Sequence, residues 1–326
     1  MNEFVSYIAG LIYKKYLWSN KNRLWSILRN LLIKVLSDPA CKLNVHGTPL
    51  YLPLSHALPS YLHDFPMYDR LPKRIGKFLR TRQGFISLID VGANVGDTLA
   101  AIQDREFLND IFMAIEPNEH FRKYLKLNWG NSTNVKILPY LCVGEENSTH
   151  QYQIIESNGT ARVVENNDGI ALPERTIDQI VAEKHDFDQC NFIKIDTDGY
   201  DFEVIKGSMK LIKSNLPVVL FECDVFSNEN YLDDCINSLN FFREAGYVSF
   251  LLYDNFGYFM GIYSLSDLNS FTNLLFYQLT SPFYYFDILL MKEDDIIVFQ
   301  KMELKHYSAL IKNSPAQKAV QSLIVG

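Results

Sequence analysis

The stretch from Ser87 to Thr98, SLIDVGANVGDT, constrains this chain more than any other. An apolar run over residues 86–91 carries Asp90 near its end and opens into Gly92, Ala93, Asn94 and Gly96. Helical spacing then starts near Thr98. The pattern predicts a strand, a tight turn and a helix. Glycine lets backbone approach a ligand closely and tolerates positive φ, and this turn leads into the free N–H groups of a helix N-terminus. A plain structural turn with no ligand is the competing reading.

Two kinds of ligand compete for such a loop. The dinucleotide fingerprint G-x-G-x-x-G would place glycine where this chain has Asn94 and Asp97, and an aspartate there would repel a pyrophosphate. NAD-dependent and nucleotide-sugar oxidoreductases are therefore disfavoured. The spacing suits a ligand without phosphate, whose ammonium and carboxylate can meet Asp90 and backbone N–H groups. S-adenosylmethionine (SAM) is such a ligand. Glu116 ends the next apolar run, about one helix and one strand after Asp90, where an acid can accept hydrogen bonds from both ribose hydroxyls. A solvated strand end is the alternative. Pro117 and Asn118 then turn the chain into a further helix.

At this point five segments stand in order: Asp90–Gly96 (DVGANVG), Glu116-Pro117-Asn118, Val143-Gly144, Arg175-Thr176-Ile177-Asp178 and Lys194–Gly199 (KIDTDG). Together they resemble the successive motifs of the FkbM family of SAM-dependent methyltransferases, over roughly residues 45–225. The resemblance implies an α/β class I methyltransferase fold, Rossmann-like and doubly wound, with a mostly parallel seven-stranded sheet. It also implies SAM as methyl donor and O-methylation of hydroxyls, commonly on sugars or polyketide-like molecules. The SAM-binding residues would be Asp90, Gly92, Ala93, Asn94, Gly96, Thr98, Glu116, Pro117, Asn118 and Asp196, with Cys142 and Val143 at the adenine. The chain departs from many members at Asp198 and Tyr200, where they have glutamate and a small residue; these positions bear on the acceptor.

A second centre of chemistry follows a buried strand predicted over residues 192–195. Asp196, Asp198 and Asp201 crowd the turn, at the edge where a doubly wound sheet binds ligands. Asp196 can orient the acceptor hydroxyl and take its proton, Asp198 can bind a sugar hydroxyl, and Lys194 can neutralise the cluster. Asp201 reads as a helix N-cap, and Glu222 reaches the same edge from the next strand. The acids could also hold an oxygen-ligated divalent cation such as magnesium, and no residue is assigned to one. Because a sulfonium is already activated, aligning the nucleophile and excluding water supply much of the acceleration, and a strong base is optional.

The chain has 326 residues, 48% of them hydrophobic, which is ordinary for a protein with a real core. A net charge of −7 argues against a nucleic-acid partner. The five cysteines form no C-x-x-C pair and suit buried free thiols in a reducing, cytoplasmic setting, so the sequons at Asn147 and Asn158 need no glycan. The chain divides into a basic amphipathic helical extension (1–42), a lid or pre-core segment (43–85), a SAM-binding core (86–310) and a tail (311–326). The extension sets Lys14, Lys15, Lys21, Arg23, Arg29 and Lys34 against Glu3 and Asp38. With Trp18 and Trp25 it reads either as a peripheral contact with the inner membrane face or as a helical hairpin covering the domain. A non-catalytic scaffold using that block is a third functional class. In the lid segment Tyr68 and Asp69 are candidate cofactor contacts by the resemblance, and His56 and His63 are either acceptor-side groups or solvated loop residues. Residues 151–157 and 161–165 flank Asn158-Gly159 as a hairpin, an insertion or a sheet extension. Acceptor and oligomeric state are not written in the sequence.

Overall fold

The computed structural model of the protein describes residues 3–104, 106–146, 150–225, 228–283, 285–311 and 316–325, so the sequon at Asn147 lies outside the described residues. Helices α1 (Glu3–Trp18) and α2 (Arg23–Val35) precede a hairpin of β1 (Ala40–Val45) and β2 (Thr48–Pro53). The lid or pre-core segment then carries two helices, α3 (Leu58–Asp64) and α4 (Leu71–Gln83). Both have proline in the first turn, where a missing N–H is harmless, and Gly84 ends α4 at φ 84.

The core then alternates strand and helix: β3 (Ser87–Val91), α5 (Asp97–Ile102), β4 (Ile111–Ile115), α6 (Glu119–Trp129) and β5 (Val135–Leu138). The extended stretch over residues 135–142 is interrupted at Pro139, which has no N–H for a ladder. Its second part, β6 (Leu141–Cys142), leaves the main sheet. The hairpin of β7 (Tyr152–Ser157) and β8 (Thr160–Glu165) turns on Asn158 and Gly159, both at positive φ, and forms a sheet of its own; β9 (Glu174–Arg175) pairs with β6. After α7 (Ile177–Glu183), opened by a reciprocal cap between Thr176 and Gln179, come β10 (Phe192–Ile195), α8 (Asp201–Lys206), α9 (Met209–Asn215) and β11 (Val218–Asp224). The chain finishes with α10 (Tyr231–Ala245), β12 (Ser249–Asp254), β13 (Phe259–Ser264), α11 (Asn269–Thr280), β14 (Tyr285–Leu290), α12 (Glu293–Leu310) and α13 (Gln317–Val325).

The main sheet has the order β13-β12-β14-β11-β10-β3-β4-β5. From β11 to β5 the neighbours are parallel, whereas β14 runs antiparallel between β11 and β12. This is a doubly wound, mostly parallel α/β arrangement. Eight strands are present rather than seven because β13, the return arm of a hairpin, adds an antiparallel edge. Every residue of β3 and β10 is buried, and alternation divides them between two cores: Leu88 and Phe192 face one layer of helices, Ile89 and Ile193 the other. Winding proceeds outward from β3 to β5 and then jumps back to β10, so the β3/β10 boundary is the switch point in strand order.

Two further contacts tie the periphery to this sheet. Arg74 of α4 makes a two-pronged ion pair with Glu303 of α12 (2.7 and 2.9 Å), to which Tyr253 of β12 also donates (3.0 Å). Helix α1 packs Ala9, Tyr13 and Leu17 toward the β1–β2 hairpin, so closely that a Cβ on Gly10 would lie 2.6 Å from the Lys42 carbonyl oxygen.

Candidate functional site

A cavity of about 580 Å³ opens at the carboxyl ends of the strands on both sides of the β3/β10 switch. Its floor is Gly92, Asn94 and Thr98 after β3, Glu116 and Pro117 after β4, and the segment from Lys194 to Asp198, omitting the strand end Ile195. Tyr140, Leu141 and Cys142 form one wall; Tyr61, Phe65 and Tyr68 of the α3 region and Phe256 of the β12–β13 turn form another.

The glycines of the loop after β3 serve packing first. Gly92 has φ 80, and a Cβ there would lie 1.8 Å from the Asp196 carbonyl oxygen. Gly96 has φ 86, and its Cβ would meet the Trp129 ring nitrogen at 2.2 Å; that N–H donates to the Gly96 carbonyl (3.0 Å). Asn94 takes the left-handed conformation (φ 47) that asparagine tolerates better than most residues. Its backbone N–H donates to one carboxylate oxygen of Glu116 and that of Asn118 to the other, each at 2.8 Å. Burial pushes the Glu116 pKa up to about 7, against the pull of those two N–H groups.

His56, whose charged form burial disfavours, has its pKa lowered to about 4. Its Nδ1 accepts from the Leu58 N–H (3.2 Å), so the neutral ring carries its proton on Nε2 and donates to Asn94 Oδ1 (3.3 Å). The Asn94 side-chain amide in turn donates to the Gly159 carbonyl (2.8 Å), the Ala57 N–H to the Asn158 carbonyl (2.8 Å), and the Asn118 amide to Glu156 (2.8 Å). The β7–β8 hairpin is thus an insertion that roofs the cavity.

The acids divide into three groups. Asp90 is fully buried behind the loop, 4.0 Å from the Lys194 ammonium and beside the Thr98 hydroxyl. Burial raises its pKa to about 7, with Lys194 opposing. Lys194 donates to Asp196 (2.6 Å); burial works against its charge, but Asp196 and Asp90 outweigh it and hold its pKa well above the usual lysine range. Asp198 stands at φ 51 and is pushed up to about 7 by burial and by Asp196 and Asp201. Asp201 is not the N-cap of α8. Tyr200 holds that position, and the Asp201 carboxylate accepts instead from the N–H (3.2 Å) and hydroxyl (2.6 Å) of Thr197 and from the Glu222 N–H (3.2 Å), tying the β10 turn to β11. Glu222 and Asp287 lie opposite one another on β11 and β14; burial and then the Asp196 charge raise both well above the carboxylate range, and Asp287 adds to the shift of Glu222. With Asp69, Asp97 and Asn255 they line a smaller recess of about 80 Å³; Glu222, Asp97 and Asn255 also line the main cavity, as do Leu58, Tyr68, Lys194, Asp196 and Tyr285.

Of the residues singled out from the sequence, the cavity brings together Gly92, Asn94, Thr98, Glu116, Pro117, Cys142, Lys194, Asp196 and Asp198. Asp90, Ala93, Gly96, Asn118 and Val143 lie behind its wall. Asn118 caps α6 through the N–H groups of His120 (2.7 Å) and Phe121 (3.3 Å), and Val143 packs in a small cluster with Tyr152. Tyr68 and His56 line the cavity; Asp69 lines the recess and bonds His46 (2.7 Å); His63 is exposed and away from both. The sequence reading missed Tyr61, Phe65 and the Asn158–Gly159 turn as lining groups, which Phe256 and Tyr285 join. Among the described residues no group of three or more His, Cys, Asp or Glu side chains is arranged to hold a metal ion.

Residues 90–249 match the family model of the methyltransferase FkbM domain. No curated protein matches the sequence. Among solved structures, the methyltransferase FkbM from Methylobacillus flagellatus KT is 17% identical over 55% of this chain and 43% of its own, with a TM-score of 0.33, so the likeness spans less than half of that chain. An O-methyltransferase from Bacillus cereus in complex with SAH is 11% identical over 82% of this chain and 97% of its own (TM-score 0.39). TYW2 from M. jannaschii in complex with AdoMet is 12% identical over 78% and 86% (TM-score 0.36).

Proposed function

We propose, from the match of residues 90–249 to the methyltransferase FkbM domain, that the protein moves a methyl group from SAM to a hydroxyl of a sugar, glycan or glycosylated, lipid-linked intermediate. The observation that carries this reading is the seating of Glu116. Two backbone N–H groups occupy one lone pair on each oxygen, and the carboxylate lines the cavity with acceptor capacity left for two ribose hydroxyls. Leu141 and Cys142 would face the adenine, and the Gly92–Asn94 backbone and Thr98 would hold the amino-acid end.

When bound, SAM supplies a methyl group already activated on a sulfonium. The residues of this chain then have three tasks. Asp196, fixed by Lys194 at 2.6 Å, accepts the proton of the acceptor hydroxyl, and Asp198 orients the sugar through a second hydroxyl. Tyr61, Phe65, Tyr68 and Phe256 exclude water from the reacting groups, so that alignment supplies much of the acceleration. Five free, buried cysteines support a cytoplasmic setting, and among the described residues no helix is long and apolar enough to cross a membrane. Isothermal titration of the purified protein with SAM, repeated on Asp90→Ala and Glu116→Ala, tests the donor. Absence of binding heat from the unmutated protein sinks the reading. Labelled SAM with fractionated glycans, followed by mass spectrometry, identifies the acceptor.

A further inference from the structure

Helices α1 and α2 carry an apolar surface that the fold leaves uncovered. At roughly 100° per residue, Tyr7, Leu11 and Trp18 share one face of α1 with Lys14 and Lys15, opposite the face that packs Ala9, Tyr13 and Leu17. Tyr7 is 62% exposed and Trp18 76%. None of the described residues of α2 is buried. Its Leu24, Ile27, Leu31 and Val35 recur at helical spacing, each more than half exposed, with Arg23 and Lys34 beside the stripe. A helix that is apolar toward its neighbour and apolar again toward solvent is built to be covered on both sides.

Charge decides what covers it. From residue 3 to residue 36 the chain has six basic side chains and one acid, Glu3, in a protein whose net charge is −7. Two of the six are engaged internally: Arg29 lies over the rings of Tyr13 (4.4 Å) and Tyr16 (5.4 Å) and donates to the Leu54 carbonyl, and Lys21 pairs with Asp64. Lys14, Lys15, Arg23 and Lys34 remain on the rim. A second copy would bring the same cations against these, which disfavours self-pairing. We infer that α1 and α2 dock the protein onto an anionic lipid bilayer, with Leu24, Ile27, Leu31 and Trp18 entering the acyl boundary while the rim lysines meet the headgroups. The docked surface is braced to the cavity: Tyr13 donates to the His56 carbonyl (2.5 Å), Lys21 holds the end of α3, and α3 supplies Leu58 and Tyr61 to the cavity wall. This inference stands apart from the methyl-transfer reading and is tested without it.

The test is co-sedimentation of the full chain with phosphatidylcholine vesicles, with and without phosphatidylglycerol, together with fluorescence of Trp18. Binding is expected to anionic vesicles alone, to weaken with added salt, and to shift Trp18 emission to shorter wavelength. Lys14→Ala with Lys15→Ala should weaken it about thirtyfold, at the increment expected per lysine near a charged leaflet. Leu31→Ser with Val35→Ser should also abolish the spectral shift. Because all four side chains are exposed, urea unfolding of these variants should match the parent. Equal binding to neutral vesicles, binding to neither, or a concentration-dependent dimer lost in the Leu31 variant overturns the inference.

Discussion

Glu116→Gln separates the two jobs of a buried carboxylate. In the native protein the Glu116 pKa stands near 7 against an ordinary 4.5, because burial penalises its charge. Between those values the folded chain keeps a proton that the unfolded chain has lost. The contribution of this group to stability is therefore fully present below about pH 4.5 and falls as pH rises through about 7. At about 1.4 kcal/mol per pH unit, the loss is about 3 kcal/mol. Glutamine has no proton to lose, so the variant lacks that slope. It does have an N–H₂ group where one of the two backbone donors, Asn94 or Asn118, now finds an acceptor at 2.8 Å. Leaving one of them unsatisfied costs about 1–3 kcal/mol at every pH. The variant should accordingly be less stable than the parent at low pH, and the gap should close or reverse by about 3 kcal/mol above pH 7. Urea unfolding of both proteins over this pH range, followed by tryptophan fluorescence, measures it. A stability difference that stays constant with pH would refute the argument that burial governs Glu116.

Three further outcomes follow from the same geometry. Asp196→Asn should reduce methyl transfer about 10²–10⁴-fold while SAH affinity, measured by titration calorimetry, changes little. Glu303→Ala removes the partner of buried Arg74 and should cost about 3–5 kcal/mol in urea unfolding, because an unpaired guanidinium is left inside. Gly96→Ala forces a Cβ to within 2.2 Å of Trp129 at positive φ, so its melting temperature should fall and its Trp129 fluorescence should change even in ligand-free protein.

What the sequence made legible is whatever a strand announces locally. β3 and β4 read as apolar runs ended by a turn or an acid, a pattern carried by a few adjacent residues. Depth was not legible: alternation says which face Asp90 occupies, but not that the loop after it would seal that face from the cavity. Nor was the fate of the β7–β8 hairpin, whose Asn158-Gly159 turn was plain while its docking depends on an Asn94–Gly159 bond across 65 positions. Asp201 was misread as a cap because a carboxylate ahead of a helix normally serves its own N–H groups; here Thr197 and the Glu222 N–H compete successfully. Tyr61 and Phe65 of the α3 region share a wall with Phe256 of the β12–β13 turn only once the sheet has formed.

Gly92 has a meaning for how relatives of this fold should be read. Its missing side chain lets the two halves of the sheet close at their junction, since the Asp196 carbonyl occupies the place a Cβ would need. Selection for folding alone would preserve it, in working enzymes and in descendants that had lost the reaction. A glycine signature therefore diagnoses architecture, while under the proposed function competence would turn on an acid at Glu116 and a proton acceptor at Asp196.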